Sequence, residues 1–496
     1  MLILKHNSLS EQELLNIEQA LIRWSDNNGP RITPELNVLD LSRTDVLGLL
    51  LAIFQRLGIL ETLATCHSSL LDFFVDVYAA YVDAPYHSFY HAADVVIMLY
   101  YLLTDLGALV HLSALDTTSL LLATLCHDVG HPGYNNTYQV GFKTDLAAQY
   151  KNISVLESYS IDITRRLLTK HDLLKHVSAQ STPPLSPPLS PSPSPSTSTS
   201  TSTSIFQSKS KQVSMVERIE RLILSTDMVY HEQLQQQTSW LKSAMTKTNQ
   251  NSKPKPKPKT INTNSNSNSL EITMMDRDDR QGLCRVLLHA ADISNTVRPW
   301  PIAKQWSDLI VQEFFRQGDA ERRAGLPVSP GMDRDLSSQA DISLGFGDFV
   351  VKPYFEAIAG LLPAATVLVD TLKSNRRQWD NLKMKIKTTT TTTMTTTATT
   401  MDTESFESLE ECLVCNSTSI DTDEKVLLPP SPLSPVSTSP LSPSLSPQHL
   451  PQSPLSKNLV LPVTPPDDPT FAMRIETWCH HKTQKLQLHL QQQRHQ

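Results

Sequence analysis

The sequence predicts an all-α protein, and three observations carry that expectation. Glycine is scarce, at 14 of 496 residues, about 3% against a usual ~7%, too few for the turns of a many-stranded sheet. Apolar residues recur at helical spacing, as Val46, Leu49, Leu50, Ile53 and Leu57 do. Helix-start signals precede such stripes, as Ser42-x-x-Asp45 precedes this one.

Taken in order, residues 1–35 are weakly patterned and read as an N-terminal extension. Helical patterning runs from about Leu36 to about Val177, with breaks near Pro85 and at His131-Pro-Gly133. The stretch 178–212 is rich in Pro, Ser and Thr and repeats Leu-Ser-Pro. Helix returns over Val216–His231. Residues 246–269 are rich in Asn, Ser, Lys and Pro, and Lys253-Pro-Lys-Pro-Lys-Pro-Lys259 within them reads as an extended linker. Helical sequence resumes near Met274 and runs to about Ile386, broken by a loop over Gly325–Leu344. A Thr/Ser/Pro-rich tail covers 385–470, and a Gln/His-rich segment covers 471–496. The Pro-rich stretches cannot bury enough apolar surface to offset their ordering entropy. The expectation is one helical domain over 36–384 with two disordered insertions and a disordered tail.

Composition excludes several functions. The net charge of −7, from 43 basic and 50 acidic residues, argues against a nucleic-acid partner. Six cysteines give no disulfide scaffold and fit a reducing cytoplasm. The longest apolar runs, Leu47–Phe54 and Val95–Leu103, are far short of the ~18 residues a membrane span needs. The opening Met1–Lys5 is too short for a signal-peptide core.

The chemistry-bearing residues are His and Asp on predicted helices. Tyr86-His-Ser-Phe-Tyr-His-Ala-Ala-Asp94 places His87 and His91 four apart, on one helix face. An apolar helix ending at Cys126 leads into His127-Asp128-Val-Gly-His131, and Leu287–Asn295 contributes Asp292. Imidazoles suit a borderline metal and carboxylates a hard one, so two His and two Asp suit an octahedral site that keeps waters. In the adjacent pair His127-Asp128, the carboxylate can bridge to a second metal. Two such metals activate a water and clamp both oxygens of an in-line phosphoryl displacement.

These motifs resemble those of the class I cyclic-nucleotide phosphodiesterases: Tyr86-His-x-x-x-His-Ala-x-Asp, His127-Asp-x-x-His-Pro-Gly-x-x-Asn136 and His289-Ala-Ala-Asp-Ile-Ser-Asn295. Further matches follow in order, among them Ser154-Val-Leu-Glu157, Leu224-Ser-Thr-Asp-Met228, Gln305-Trp306, Glu313-Phe-Phe-Arg-Gln-Gly-Asp319 and Gly345-Phe346. The resemblance implies an HD-type catalytic domain of about sixteen helices. It implies two divalent cations, zinc with magnesium or manganese. It makes His91, His127, Asp128 and Asp292 the metal ligands, and His131, Asn136 and Glu157 the groups around the second metal's waters. His87 is then the general acid for the leaving 3′-oxygen, oriented by Glu313. Phe346 and Ile310 would clamp the base and Asn295 would read it, with Tyr86 and Met228 also at the substrate. In two places the chain departs from the family. Ser343 stands where the family has a purine-binding glutamine, and Ser158-Tyr-Ser160 follows Glu157 where Asn-His-His is usual.

The implied function is metal-dependent hydrolysis of 3′,5′-cyclic nucleotides to 5′-monophosphates. Cyclic AMP is favoured, since Asn295-Thr-Val-Arg-Pro-Trp300 looks most like the fungal high-affinity cyclic-AMP enzymes. The rivals are a catalytically weak cyclic-nucleotide-binding scaffold and an HD-type phosphohydrolase acting on another nucleotide. Proline-directed kinases are the expected partners of the Ser-Pro repeats.

Overall fold

A computed structural model of the chain describes residues 2–179, 214–251 and 275–401. Most of the two Pro-rich insertions, with the tail and C-terminal segment beyond Met401, lie outside the described residues, and the Ser-Pro repeats lie there too. Among the described residues there are seventeen α-helices and no strand. They are α1 (Glu11–Ser25), α2 (Arg43–Arg56), α3 (Ile59–Leu63), α4 (His67–Ala80), α5 (Phe89–Leu103) and α6 (Ala114–Cys126). Next come α7 (Asn136–Gly141), α8 (Asp145–Gln149), α9 (Val155–Lys170), α10 (Lys175–Ala179), α11 (Met215–Leu224) and α12 (His231–Asn251). The last are α13 (Arg277–Asp292), α14 (Trp300–Arg323), α15 (Gln339–Phe346), α16 (Lys352–Leu361) and α17 (Thr366–Met401). One compact unit takes in the described residues up to Thr388.

Helices α5 and α6 are central because they are apolar on nearly every side, and such a helix must be surrounded. Ala92, Val96, Ile97 and Leu99 of α5 are fully buried, as are Leu120, Leu121 and Leu122 of α6. Polar residues of α6 survive burial by bonding within the helix. Thr118 Oγ1 donates to the Ala114 carbonyl at 2.8 Å and Thr124 Oγ1 to Leu120 at 2.7 Å. Helix α13 packs against both, so the C-terminal ends of α6 and α13 and the N-terminal end of α5 can meet.

Asp116, with no exposure, ties three helices together. Its carboxylate accepts from Arg218 Nη1 of α11 at 2.7 Å. From α13 it accepts Arg280 Nε at 2.7 Å and Gln281 Nε2 at 2.8 Å. Its own N-cap, Ser113, donates through its hydroxyl at 2.6 Å. Helices α11 and α13 are the first elements after the two insertions, so one carboxylate fixes both places where the chain re-enters the domain.

Several sequence boundaries move. Residues 10–25 are not merely an extension: a capping box between Ser10 and Glu13 starts α1, which packs on α2 and buries Ile17, Ala20 and Trp24. The expected loop over Gly325–Leu344 ends early, because Ser338 caps Asp341 N and starts α15 at Gln339. Helix α12 runs past residue 246 to Asn251, and α17 continues through the Thr tract to Met401. Threonine is a weak helix former, but adding a residue to a formed helix is far easier than nucleating one.

Candidate active site

The His and Asp side chains at the site are presented at or beside helix ends, whereas Glu313 projects from the middle of α14. After Pro85 the chain bends through Tyr86 and His87, Ser88 is the extended N-cap residue of α5, and His91 lies on the first turn of that helix. Helix α6 ends at Cys126, with His127 as its last αR residue. The turn that follows needs two residues at positive φ, Gly130 at +80° and Gly133 at +72°. A Cβ at Gly133 would come within 2.0 Å of Arg316 Nη2. Asp292 is the final residue of α13.

His91, His127, Asp128 and Asp292 converge, with one ligand atom of each within 4.8 Å of the others. His91 Nε2 lies 3.1 Å from Asp292 Oδ1 and 3.6 Å from Asp128 Oδ2. His127 Nδ1–H donates to the Thr124 carbonyl at 2.9 Å, which turns its Nε2 inward. That nitrogen is buried without a hydrogen-bond partner, although Asp128 Oδ2 is 3.0 Å away and Asp292 Oδ1 3.3 Å. A ring nitrogen oriented from behind and facing two carboxylates is what a metal ligand requires, so this donor set fits a divalent cation. Burial disfavours charge on His127, Asp128 and Asp292. It is outweighed at Asp128, where His127 and His87 hold the carboxyl well below its usual range. His127 and His91 do the same at Asp292.

A second cluster, His87, His131 and Glu313, lies beside the first, and its geometry is that of an acid rather than a metal cage. Glu313 Oε1 accepts the backbone N–H of Tyr86 at 2.7 Å and of His87 at 3.0 Å. Its Oε2 lies 2.6 Å from His87 Nδ1. The pair consumes the ligand atoms and leaves His87 Nε2 as the free ring nitrogen. Burial opposes charge on His87, but Glu313, Asp128 and Asp292 outweigh it and raise the imidazole's pKa. His131 stacks on His87 with centroids 3.8 Å apart. Burial, then the neighbouring His87, push His131 down to about 3, so it stays neutral.

Glu157, on the first turn of α9, accepts from Asn136 Nδ2 at 3.0 Å. Burial and the charges of Asp227 and Asp128 push its carboxyl up to about 8, a concentration of negative groups suited to a second cation. Asn295 Nδ2 donates to Tyr86 Oη. Ile310 on α14 and Phe346 at the end of α15 are half-buried at the edge of the core. A π-helical segment, Gly347–Val351, follows Phe346, and such turns are frequent at functional sites. Ser343 Oγ lies 2.8 Å from Ser307 Oγ. Met228 sits in a short 3₁₀ turn and is 39% exposed.

Sequence reasoning gave no role to Arg298. Fully buried, it pairs with Asp94, one turn beyond His91 on α5, and donates to the carbonyls of Pro34 and Leu36. It thereby joins the segment after Asp292 to the helix carrying His91. The only advance signal is Asp94 itself, three residues after His91 within a run of apolar neighbours.

The family described as 3′5′-cyclic nucleotide phosphodiesterase matches residues 86–185 and 196–372. A high-affinity cGMP-specific 3′,5′-cyclic phosphodiesterase 9A of Drosophila melanogaster is 31% identical over 342 residues, covering 68% of this chain and 18% of that protein. The 3′,5′-cyclic-AMP phosphodiesterase 4C of Mus musculus is 28% identical over 333 residues, 66% of this chain and 41% of that protein. The chain thus spans less than half the length of either relative. In fold it resembles the phosphodiesterase domain of Salpingoeca rosetta rhodopsin phosphodiesterase, with a TM-score of 0.56 and 22% identity over 78% of this chain and 99% of that one. Among the described residues no helix is long and apolar enough to cross a membrane.

Proposed function

This chain belongs to the 3′5′-cyclic nucleotide phosphodiesterase family, and from that premise we propose that it hydrolyses a cyclic nucleotide to the 5′-monophosphate, with cyclic AMP the favoured substrate. The supporting observation is the convergence of His91, His127, Asp128 and Asp292 beside the hydrogen-bonded His87–Glu313 pair. His91, His127, Asp128 and Asp292 would hold one divalent cation, zinc in this reading. Asp128, with His131, Asn136 and Glu157 around it, would serve a second, magnesium or manganese. Bound there, such cations make a water acidic enough to attack and stabilise charge on the phosphoryl oxygens.

The chain's own residues do the rest. Glu313 fixes His87 through Nδ1 and favours its charged form, so Nε2–H can protonate the departing 3′-oxygen. An alkoxide leaves poorly without that proton, and a positioned acid contributes roughly 10²–10⁴-fold. His131, neutral and stacked on His87, adds no competing charge. Ile310 and Phe346 would hold the two purine faces. Asn295, with one amide hydrogen committed to Tyr86 Oη, keeps its carbonyl oxygen for an amino group such as adenine's. Met228 is assigned to the outer edge of the substrate site. The cytoplasm is the proposed location, and the Ser-Pro repeats the proposed targets of proline-directed kinases.

The test is product analysis with purified protein, cyclic AMP and cyclic GMP, with and without magnesium and with chelator. Formation of 5′-AMP that chelator abolishes is expected. Tight binding of cyclic AMP without product would instead mean a binding protein.

A further inference from the structure

Outside the catalytic groups, residues 5–7 meet α4 and the C-terminal end of α9 at a small cluster of His and Asp. Lys5 and His6 donate their backbone N–H groups to Asp72 Oδ2 at 2.9 and 2.8 Å, and Asn7 Nδ2 donates to Asp72 Oδ1 at 2.8 Å. Those bonds pin the backbone of His6 to α4. They occupy three of the roughly four lone-pair positions of the carboxylate and leave one for a further positive group. The His6 side chain is exposed, and its ring stands edge-on to that of His171 with centroids 4.9 Å apart. His171 ends α9, and its side chain is only 3% exposed.

The partner of His171 fixes its orientation. Asp76 Oδ2 lies 2.6 Å from His171 Nε2. Burial opposes charge on Asp76, but bonds from Lys170 and His171 outweigh it and lower the carboxyl's pKa. An ionised carboxylate has no hydrogen to give, so Nε2 carries the hydrogen, and in the neutral ring Nδ1 keeps its lone pair. Nδ1 is 4.0 Å from Asp72 Oδ2, beyond hydrogen-bond reach. A buried imidazole held by a carboxylate at one nitrogen and presenting the other is how metal-binding histidines are oriented. One ligand atom each of His6, Asp72 and His171 lies within 4.8 Å of the others. The ligand atoms around a tetrahedral zinc with ~2.0 Å bonds stand about 3.3 Å apart, and rotation of the exposed His6 ring supplies the remaining movement.

We propose that His6, Asp72 and His171 form a peripheral metal site, separate from the catalytic cluster, which takes a borderline divalent cation such as zinc and staples residues 5–7 to α4 and α9. Water completes the shell on the side of the exposed His6. Two imidazoles and one carboxylate select zinc over magnesium, which prefers oxygen ligands.

The experiment uses the full chain, stripped with chelator and returned to magnesium at about pH 7.5, above the usual imidazole range. Zinc is titrated by calorimetry, and hydrogen exchange over residues 2–7 is read by mass spectrometry with and without zinc. At zinc ten times the measured Kd, exchange there should slow about 10-fold, because a cation that binds only the docked segment shifts its opening equilibrium by 1 + [L]/Kd. His6→Ala changes an exposed side chain, so it should unfold at the same temperature without zinc, yet lose one zinc equivalent and the slowing. Asp128→Ala, at the catalytic cluster, should keep the slowing. Equal slowing in His6→Ala, its loss in Asp128→Ala, or none in the unmutated chain would overturn the proposal. Slowing by mild acid with no effect of zinc at either pH would overturn it too, since Asp72 would then be answered by an imidazolium alone. None of these readouts is turnover, so a chain that hydrolyses no cyclic nucleotide but shows the zinc-dependent slowing would overturn the hydrolytic reading and support this site.

Discussion

Asp128 and His87 are the residues at which the two proposed roles, metal ligand and acid, can be tested apart. Asp128→Ala should lose bound metal and turnover together, since a carboxylate shared between two cations leaves a gap at both. His87→Ala should keep its metal, read by elemental analysis, while kcat falls by about 10²–10⁴-fold. Retention of metal and rate by Asp128→Ala would show that the cluster is not the metal centre. His289 carries a pH prediction. It is fully buried against His231, its Nε2 2.9 Å from His231 Nδ1, and burial pushes its pKa down to about 4. The unfolded chain would protonate it near 6.5, so the unfolded state binds more protons between those values. Its contribution is complete above about pH 6.5 and is lost as pH falls toward 4, a difference on the order of 3 kcal/mol. Urea unfolding across that range should show the slope, and His289→Gln should flatten it.

At the scale of elements, Asp116 is the position where one change acts on three helices. Asp116→Ala leaves Arg218 and Arg280 without their buried partner, which should cost about 3–5 kcal/mol. Its pKa is lowered although burial opposes this, because Ser113 and Arg280 bond the carboxylate. That stability is present above the unfolded value near 4 and lost as pH falls through the folded one. A denaturant midpoint for Asp116→Ala within error of the unmutated chain would show that the three helices are held by apolar packing alone. Helix α1 illustrates a signal that was present and weakly weighted. Ser10-x-x-Glu13 is a capping box, but few of the residues after it are buried, and the stripe Ile17, Ala20, Trp24 becomes visible only against α2.

For the whole molecule, composition and structure lead to opposite expectations for two kinds of deletion. Replacing 180–213 and 252–274 with short flexible linkers should leave fold and turnover largely intact. Loop closure changes by only about 0.6 kcal/mol per doubling of length, and Asp116 already fixes both re-entry helices. Loss of helical, soluble protein in both variants would show that those segments pack. Starting the chain at residue 36 should be severe, because it removes the buried Ile17, Ala20, Trp24 and Ile32 and the Pro34 carbonyl that Arg298 binds. Thermal unfolding would read this as a large drop in Tm.

Periodicity, caps and proline clusters determined the helical class and the places where the domain is interrupted, because each is a property of neighbours along the chain. The candidate metal and acid residues were legible through short motifs and the family resemblance those motifs carry: His127-Asp128, His87 with His91, and Asp292. Tertiary structure alone decided which of them meet. The 2.6 Å contact of His87 with Glu313 spans 226 residues, and the Arg298–Asp94 pair spans 204. The 2.8 Å contact of Ser307 with Ser343 also belongs to the fold, since it joins α14 to α15 across 36 residues and leaves no trace in local sequence.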